Sequence, residues 1–132
     1  MNSISGKISS IETAGSLSLV EILAGSNKLT AIVIDTPDTL PLLKVGNTVR
    51  AIFKETEVAI GLDEKHSISM QNQLSGTIIS IDASELLSKV VLQIETGEVS
   101  SIITTKAIST LNLSIGKKVK ALIKTNEIML SE

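Results

Sequence analysis

Hydrogen-bond donors gather near the middle of this sequence and again near its end, in a combination that suits anion binding. Ser69, Gln71 and Asn72 lie close together before an apolar run, and Lys124 closes a later apolar run. Hydroxyl, amide and ammonium groups with no obligatory carboxylate among them suit a fully deprotonated oxyanion, which only accepts hydrogen bonds. The same residue types also serve in turns and caps, so the pattern alone leaves both interpretations open.

Catalytic chemistry has few candidate residues. His66 is the single histidine, and the chain has no cysteine. A zinc or iron site of the usual ligands, a hydrolytic triad and a thiolate nucleophile all need residues that are missing here. Glu57 and Glu127 each follow a lysine by three positions, where turn solvation or a local ion pair explains them better than acid catalysis. We therefore expect no enzyme, no metal site and no cofactor, with His66 an exposed linker residue.

The elements that must position these donors come in two copies, because the chain repeats itself at a distance of 70 residues. Gly6 and Gly76 are 70 positions apart, as are Gly46 and Gly116, and no gap is needed between these pairs. The same offset pairs Asn2 with Asn72, Ile8 with Ile78, Val49 with Val119, Ala51 with Ala121 and Lys54 with Lys124. A period this long exceeds the roughly 20 to 50 residues of stacked solenoid repeats, so we expect each copy to be a closed domain with its own core. The predicted boundaries are 1–61 for the first domain, 62–71 for a linker and 72–132 for the second domain.

Each copy is predicted to contain five short strands, because β-branched residues dominate and Gly, Asn and Ser separate the runs. The strands are expected at 4–11, 17–23, 29–35, 48–54 and 58–60, and at 74–82, 86–95, 99–104, 118–124 and 128–130. Between the third and fourth strands, 36–43 and 105–113 are expected to form short helical turns. Gly6 and Gly76 would mark bends in the first strands. The predicted fold is all-β, with two tandem small Greek-key β-barrels of the OB type.

Composition and charge exclude several partners. The net charge is −2 and Phe53 is the only aromatic residue, whereas single-strand binders of the OB type stack bases on aromatic rings in a basic groove. No apolar run approaches the roughly 18 residues of a membrane span, and no leader-like segment opens the chain. We therefore expect a cytoplasmic protein that binds neither nucleic acid nor membrane. A unit of about 60 residues buries only about 60% of its unfolded surface, so we also expect a homo-oligomer.

Three sequence features, two of which occur in both copies, carry a resemblance to a known family. Ser69, Asn72, Leu74 and Gly76 open the second copy, a Leu-x-x-Gly segment recurs at 43–46 and 113–116, and similar endings recur at 51–58 and 121–128. With these features the chain resembles a tandem molybdate-binding (Mop) domain protein of the TOBE group of OB folds, over nearly all of both copies. The resemblance implies an intracellular protein that binds molybdate or tungstate at subunit interfaces without catalysis, and it favours a trimer.

The resemblance also implies which residues hold the oxyanion. Carried onto this sequence, they are Ser69, Asn72, Thr104 and Lys124 in the second copy and Asn2 and Lys54 in the first. Gln71 stands at the family's arginine position, and Ile34 replaces the threonine that Thr104 retains. Gln71 still donates two amide hydrogens, but one lost charge-assisted hydrogen bond, at about 1.5 to 3 kcal/mol, weakens binding about ten- to a hundredfold. We expect the competent sites to use Ser69, Thr104 and Lys124.

Three functions stay open at this point. The first is a free-standing protein for molybdate or tungstate storage, buffering or homeostasis, with the ligand held by Ser, Thr, amide and Lys donors. The second is an oligomerising regulatory or interaction module whose oxyanion binding is weak or lost. The third is a degenerate relative that keeps the assembly without the ligand.

Overall fold

The computed structural model describes residues 1–132 and is built almost entirely of β-strands. The first repeat contributes β1 (Asn2–Ala14), β2 (Leu17–Ala24), β3 (Asn27–Val33), β4 (Thr48–Phe53) and β5 (Ala59–Leu62). The second contributes β6 (Asn72–Ala83), β7 (Leu87–Ile94), β8 (Gly97–Thr104), the helix α1 (Thr105–Thr110), β9 (Lys118–Ile123) and β10 (Met129–Ser131). The predicted strands are all present, with ends that differ by at most three residues. The two curled sheets confirm the predicted all-β class with tandem OB-type barrels.

Each sheet takes four strands from one repeat and its fifth from the other. The strand orders are β10-β4-β1-β2-β3 and β5-β9-β6-β7-β8, with antiparallel neighbours throughout. Ile60 of β5 lies opposite Ala121 of β9, and Leu130 of β10 lies opposite Ala51 of β4. The expectation that each copy closes on itself is therefore wrong for the last strand. The boundaries 1–61, 62–71 and 72–132 stay a prediction.

The apolar core joins both repeats. In β4, Val49, Ala51 and Phe53 are buried while the residues between them are exposed or half-buried, as the period of two in a strand requires. These side chains belong to one cluster of 24 buried apolar residues drawn from both repeats. The expectation of a separate core in each copy is therefore wrong as well, and strand exchange is the physical reason.

Gly6 allows β1 to approach β2 closely. A Cβ atom at this position would lie 2.6 Å from the Leu23 carbonyl oxygen and 2.7 Å from the Ile22 side chain. A bulge follows in β1 between Ile8 and Ser10, and β6 has the equivalent register shift. Bulges increase local bending and twist, which lets each sheet curl around the shared core.

The connection between the third and fourth strands differs between the repeats. In α1, the Leu111 N–H donates to the Ala107 carbonyl at 3.0 Å. Pro41 occupies the position equivalent to Leu111 and has no N–H to donate, and the first repeat forms hydrogen-bonded turns instead of a helix. With six residues in α1, the chain contains no helix whose length and apolar character would allow it to cross a bilayer.

Candidate functional site

Lys54 and Lys124 occupy equivalent places where β4 and β9 end. Each is exposed, has extended backbone and directly precedes a 3-10 turn, at Glu55–Glu57 in the first repeat and Thr125–Glu127 in the second. Neither ammonium group makes a hydrogen bond or an ion pair within the chain. Both lysines are therefore available to an external anion.

The start of each first strand lies beside one of these lysines. Asn72 pairs with Ile123, the residue before Lys124, and Asn2 pairs in the same way with Phe53, the residue before Lys54. The fold thus brings Gln71 and Asn72 to the end of the sheet where Lys124 lies. Ser69 is exposed in the linker three residues before Asn72.

The buried side chains of Asn2 and Asn72 bind backbone across the repeats. Asn72 Oδ1 accepts from the Thr30 N–H at 2.7 Å, and Asn72 Nδ2 donates to the Thr30 carbonyl at 2.9 Å. Asn2 makes the same pair of contacts with Ser100, each at 2.8 Å. Each side-chain amide therefore makes the two hydrogen bonds to β3 or β8 that the backbone of a neighbouring strand would make. This leaves one amide hydrogen per asparagine for any further partner.

Thr104 lies at the other end of β6 from Lys124. It is the last residue of β8, opposite Leu87, whereas Lys124 follows the strand that pairs with the beginning of β6. Its hydroxyl accepts from the Ala107 N–H at 3.2 Å and so caps α1. A single chain consequently does not bring Thr104 together with Lys124. The equivalent residue of the first repeat, Ile34, is 78% exposed and has no polar group.

The two lysines differ in the charge of the residue that follows them. A carboxylate, Glu55, follows Lys54, whereas a neutral residue follows Lys124. Glu55 lies 3.1 Å from the Met1 amino group and 3.4 Å from Lys89 Nζ. The hydrogen bond from the amino group, followed by the contacts with Lys89, holds the pKa of Glu55 below its usual range. The equivalent neighbour of Lys124 is the neutral Thr125. Sequence reasoning missed this contrast, although the offset of 70 residues places Glu55 opposite Thr125.

The linker histidine is a structural anchor. His66 is half-buried, its ring lies against Gly61, and its Nε2 is 2.9 Å from the Leu62 carbonyl oxygen. The expectation that His66 is an exposed spacer is therefore wrong, because the ring covers the edge strand β5. Glu57, which was predicted to serve a turn, does so: its Oε1 accepts from the Lys54 backbone N–H at 3.0 Å.

These elements define the chain as a tandem pair of Mop-type OB barrels, each with a lysine at the equivalent strand end. The TOBE domain family matches residues 1–60 and 68–130, and the chain belongs to that family. The family resemblance seen in the sequence is thereby confirmed.

Several proteins of known name match this chain in structure or in sequence. The structure of the cytoplasmic molybdate-binding protein ModG, with molybdate bound, matches with a TM-score of 0.91 and 29% identity, covering 98% of this chain and 94% of ModG. The molybdenum transport protein ModE of Herbaspirillum seropedicae is 28% identical over 98% of this chain. Molybdenum-pterin-binding protein 3 of Clostridium pasteurianum is 35% identical over 65 residues, which are 48% of this chain and 96% of that protein.

The lengths of the relatives differ. The chain spans about half of ModE, at 49% of its length, while it matches nearly all of ModG. The names of these relatives describe binding or transport of molybdenum species and not enzymes.

Proposed function

We propose that this chain is a cytoplasmic binding protein that stores or buffers molybdate or tungstate and performs no catalysis. The observation that carries this proposal is the likeness to molybdate-loaded ModG over nearly the full length of both chains. The free ammonium groups of Lys54 and Lys124 support it from within the structure, because a dianion needs positive charge that no internal carboxylate has already taken.

The proposed ligand lies between copies of the chain. Ser69, Gln71, Asn72 and Lys124 share one end of β6, and Thr104 lies at the other end. A second copy whose Thr104 end meets the Lys124 end of the first would complete a set of hydroxyl, amide and ammonium donors. This arrangement requires a homo-oligomer, and we favour the trimer that the family resemblance implies.

The second repeat supplies the stronger half of this proposed site. Lys124 is followed by neutral Thr125, while Lys54 is followed by the ionised Glu55. Ile34 offers no hydroxyl where Thr104 does, and the Met1 amino group and Lys89 near Lys54 are already paired with Glu55. We therefore place the competent sites on Ser69, Gln71, Asn72, Thr104 and Lys124, with weaker contributions from Asn2 and Lys54.

Isothermal titration with molybdate, tungstate, sulfate and phosphate tests this proposal, on protein whose mass in solution is measured by light scattering. Binding of molybdate or tungstate that saturates at a fixed number per oligomer, with sulfate and phosphate much weaker, is the expected result. No heat with molybdate or tungstate, or saturation by a monomeric chain, would contradict it.

A second candidate function is favoured by the match to ModE. Because the whole of this fold corresponds to about half of that transport protein, the tandem barrels also suit an oligomerising regulatory or interaction module with weak or lost oxyanion binding. An oligomer that forms normally but gives no heat with any of the four anions would favour this alternative over storage.

A further inference from the structure

A groove of about 480 Å³ lies between the linker and the outer face of β9. Lys65 and His66 of the linker border it on one side, and Lys120 of β9 borders it on the other. Ile68, Met70 and two glutamines complete its lining. Gln71 is shared with the proposed oxyanion site, but Lys54, Thr104 and Lys124 are absent from this lining, so the groove has its own pair of cations in Lys65 and Lys120.

The linker side of the groove is held in place by a network of hydrogen bonds. Gln73 Oε1 accepts from the His66 N–H at 3.1 Å, and Gln73 Nε2 donates to the carbonyl oxygens of His66 and Met70 at 3.0 Å each. The His66 ring is fixed in turn against Gly61 and the Leu62 carbonyl. A preformed groove binds its ligand without a large ordering cost.

The charge of the groove is positive. Lys120 Nζ donates to Ser75 Oγ at 2.7 Å and keeps two further hydrogens. Lys65 makes no hydrogen bond or ion pair with its ammonium group. No carboxylate lines the groove, and the nearby Asp63 lines a separate neighbouring pocket. Two ammonium groups without a counter-charge suit a phosphate group, which carries about −1.5 to −2 charges near neutral pH.

The size and apolar part of the groove indicate more than a bare inorganic anion. Several hundred Å³ is the volume of sites that hold small organic molecules. Ile68, which is 52% exposed, and the half-buried Met70 provide apolar surface beside the lysines. We propose that this groove binds a small organic phosphate monoester, with its phosphate on Lys65 and Lys120 and its apolar part on Ile68 and Met70.

Titration of 15N-labelled protein with phenyl phosphate and with inorganic phosphate tests the proposal, followed by the backbone amide signals of residues 63–73. Phenyl phosphate should shift these signals and bind more tightly than inorganic phosphate. Lys120→Gln and Lys65→Gln should each weaken phenyl phosphate about tenfold, as expected for one lost charge-assisted hydrogen bond. Lys118→Gln, which removes the same charge two residues away outside the groove, is the matched control.

Three results would overturn the proposal. One is the absence of shifts in residues 63–73, and another is equal weakening by Lys118→Gln and Lys120→Gln. The third is displacement of phenyl phosphate by equimolar molybdate, which would make the groove part of the oxyanion site. The Lys65→Gln variant should fold normally, because the Lys65 ammonium group has no contact to lose. A weaker affinity of this variant therefore reports on the groove and not on misfolding. Ile68→Ser should weaken phenyl phosphate while leaving inorganic phosphate unchanged, and equal effects on both would also count against the proposal.

Discussion

The two repeats share a backbone but differ in the groups around their equivalent lysines. Lys124 is followed by Thr125, and its repeat keeps the hydroxyl of Thr104, whereas Lys54 is followed by Glu55 and its repeat has Ile34 instead. The repeats also differ at a buried position. Ser101 donates to the Val58 carbonyl at 2.6 Å, whereas the equivalent residue Ala31 has no hydroxyl. The repeats have therefore kept the same barrels while the polar groups at equivalent positions differ.

This difference also shows what the exchanged strands contribute. Because β5 and β10 each complete the sheet of the other repeat, neither repeat keeps a full sheet alone. The first repeat is therefore needed to complete the sheet of the second, whichever polar groups it carries. A weaker site in the first repeat is compatible with full structural importance.

The largest expected effect comes from the core residue Phe53, which is fully buried. Phe53→Ala should lower the free energy of unfolding by about 3 to 5 kcal/mol through lost burial and a cavity. Unfolding followed by far-UV circular dichroism in urea should remain one transition, because the core is shared. Two transitions, of which only one shifts, would show that the repeats fold independently.

The next largest loss of stability is expected at the two asparagines that join the repeats. Asn72→Leu leaves the Thr30 N–H and carbonyl without their partner, and Asn2→Leu does the same at Ser100. Each should cost about 1 to 3 kcal/mol in the same urea experiment. Gln71→Leu is the control at an exposed neighbour and should stay within about 0.5 kcal/mol. Clearly unequal losses for the two asparagines would mean that the repeat junctions are not equivalent.

A smaller effect is expected at Ser101, where the repeats differ inside the core. Ser101→Ala removes the buried hydrogen bond to the Val58 carbonyl and should cost about 1 kcal/mol. Ser100→Ala, on the same strand with no side-chain hydrogen bond, should be close to neutral. If thermal denaturation shows the same loss for both, the Ser101 contact does not help to hold β5 in place.

The smallest effect is a pH dependence at the hairpin tips. Glu95 accepts from the Ser26 hydroxyl and the Ser26 N–H, and these bonds lower the pKa of Glu95 from 4.5. A lowered folded-state pKa stabilises the protein above the unfolded value and loses that contribution as pH falls through the folded value. Wild type should therefore be slightly more stable than Glu95→Gln at neutral pH, with the difference shrinking as pH falls through the lowered pKa of Glu95. A difference that grows on acidification, measured by thermal melts, would reverse the assigned sign.

Much of the fold was predictable because its signals are local. Alternation of apolar and polar residues located the strands, and the offset of 70 residues located the duplication. The exchange of β5 and β10 was not predictable from the same pattern. Ile60 pairs with Ala121, but Ala51 is identical and equally suited, so residue types alone do not choose the partner strand. That choice depends on the path of the chain through the 3-10 turns.

The candidate site was predictable only in part, for a similar reason. Residue types identified Lys54 and Lys124, and the structure leaves both ammonium groups free. The bonds of Asn2 and Asn72 to the other repeat and the contact of Glu55 with Lys89 depend on packing between repeats. Pro41 is a local signal of a different kind: its missing N–H accounts for the turns at 36–43, although helical turns were expected in both repeats.

Parallel titrations of molybdate into wild type, Lys54→Ala and Lys124→Ala test the central claim most directly. Each protein should first be shown to have the same mass by light scattering. We expect Lys124→Ala to weaken molybdate binding about ten- to a hundredfold and Lys54→Ala to weaken it less, because Ile34 of its repeat offers no hydroxyl where Thr104 does. Equal losses, or a larger loss for Lys54→Ala, would contradict the assignment of the competent site to the second repeat.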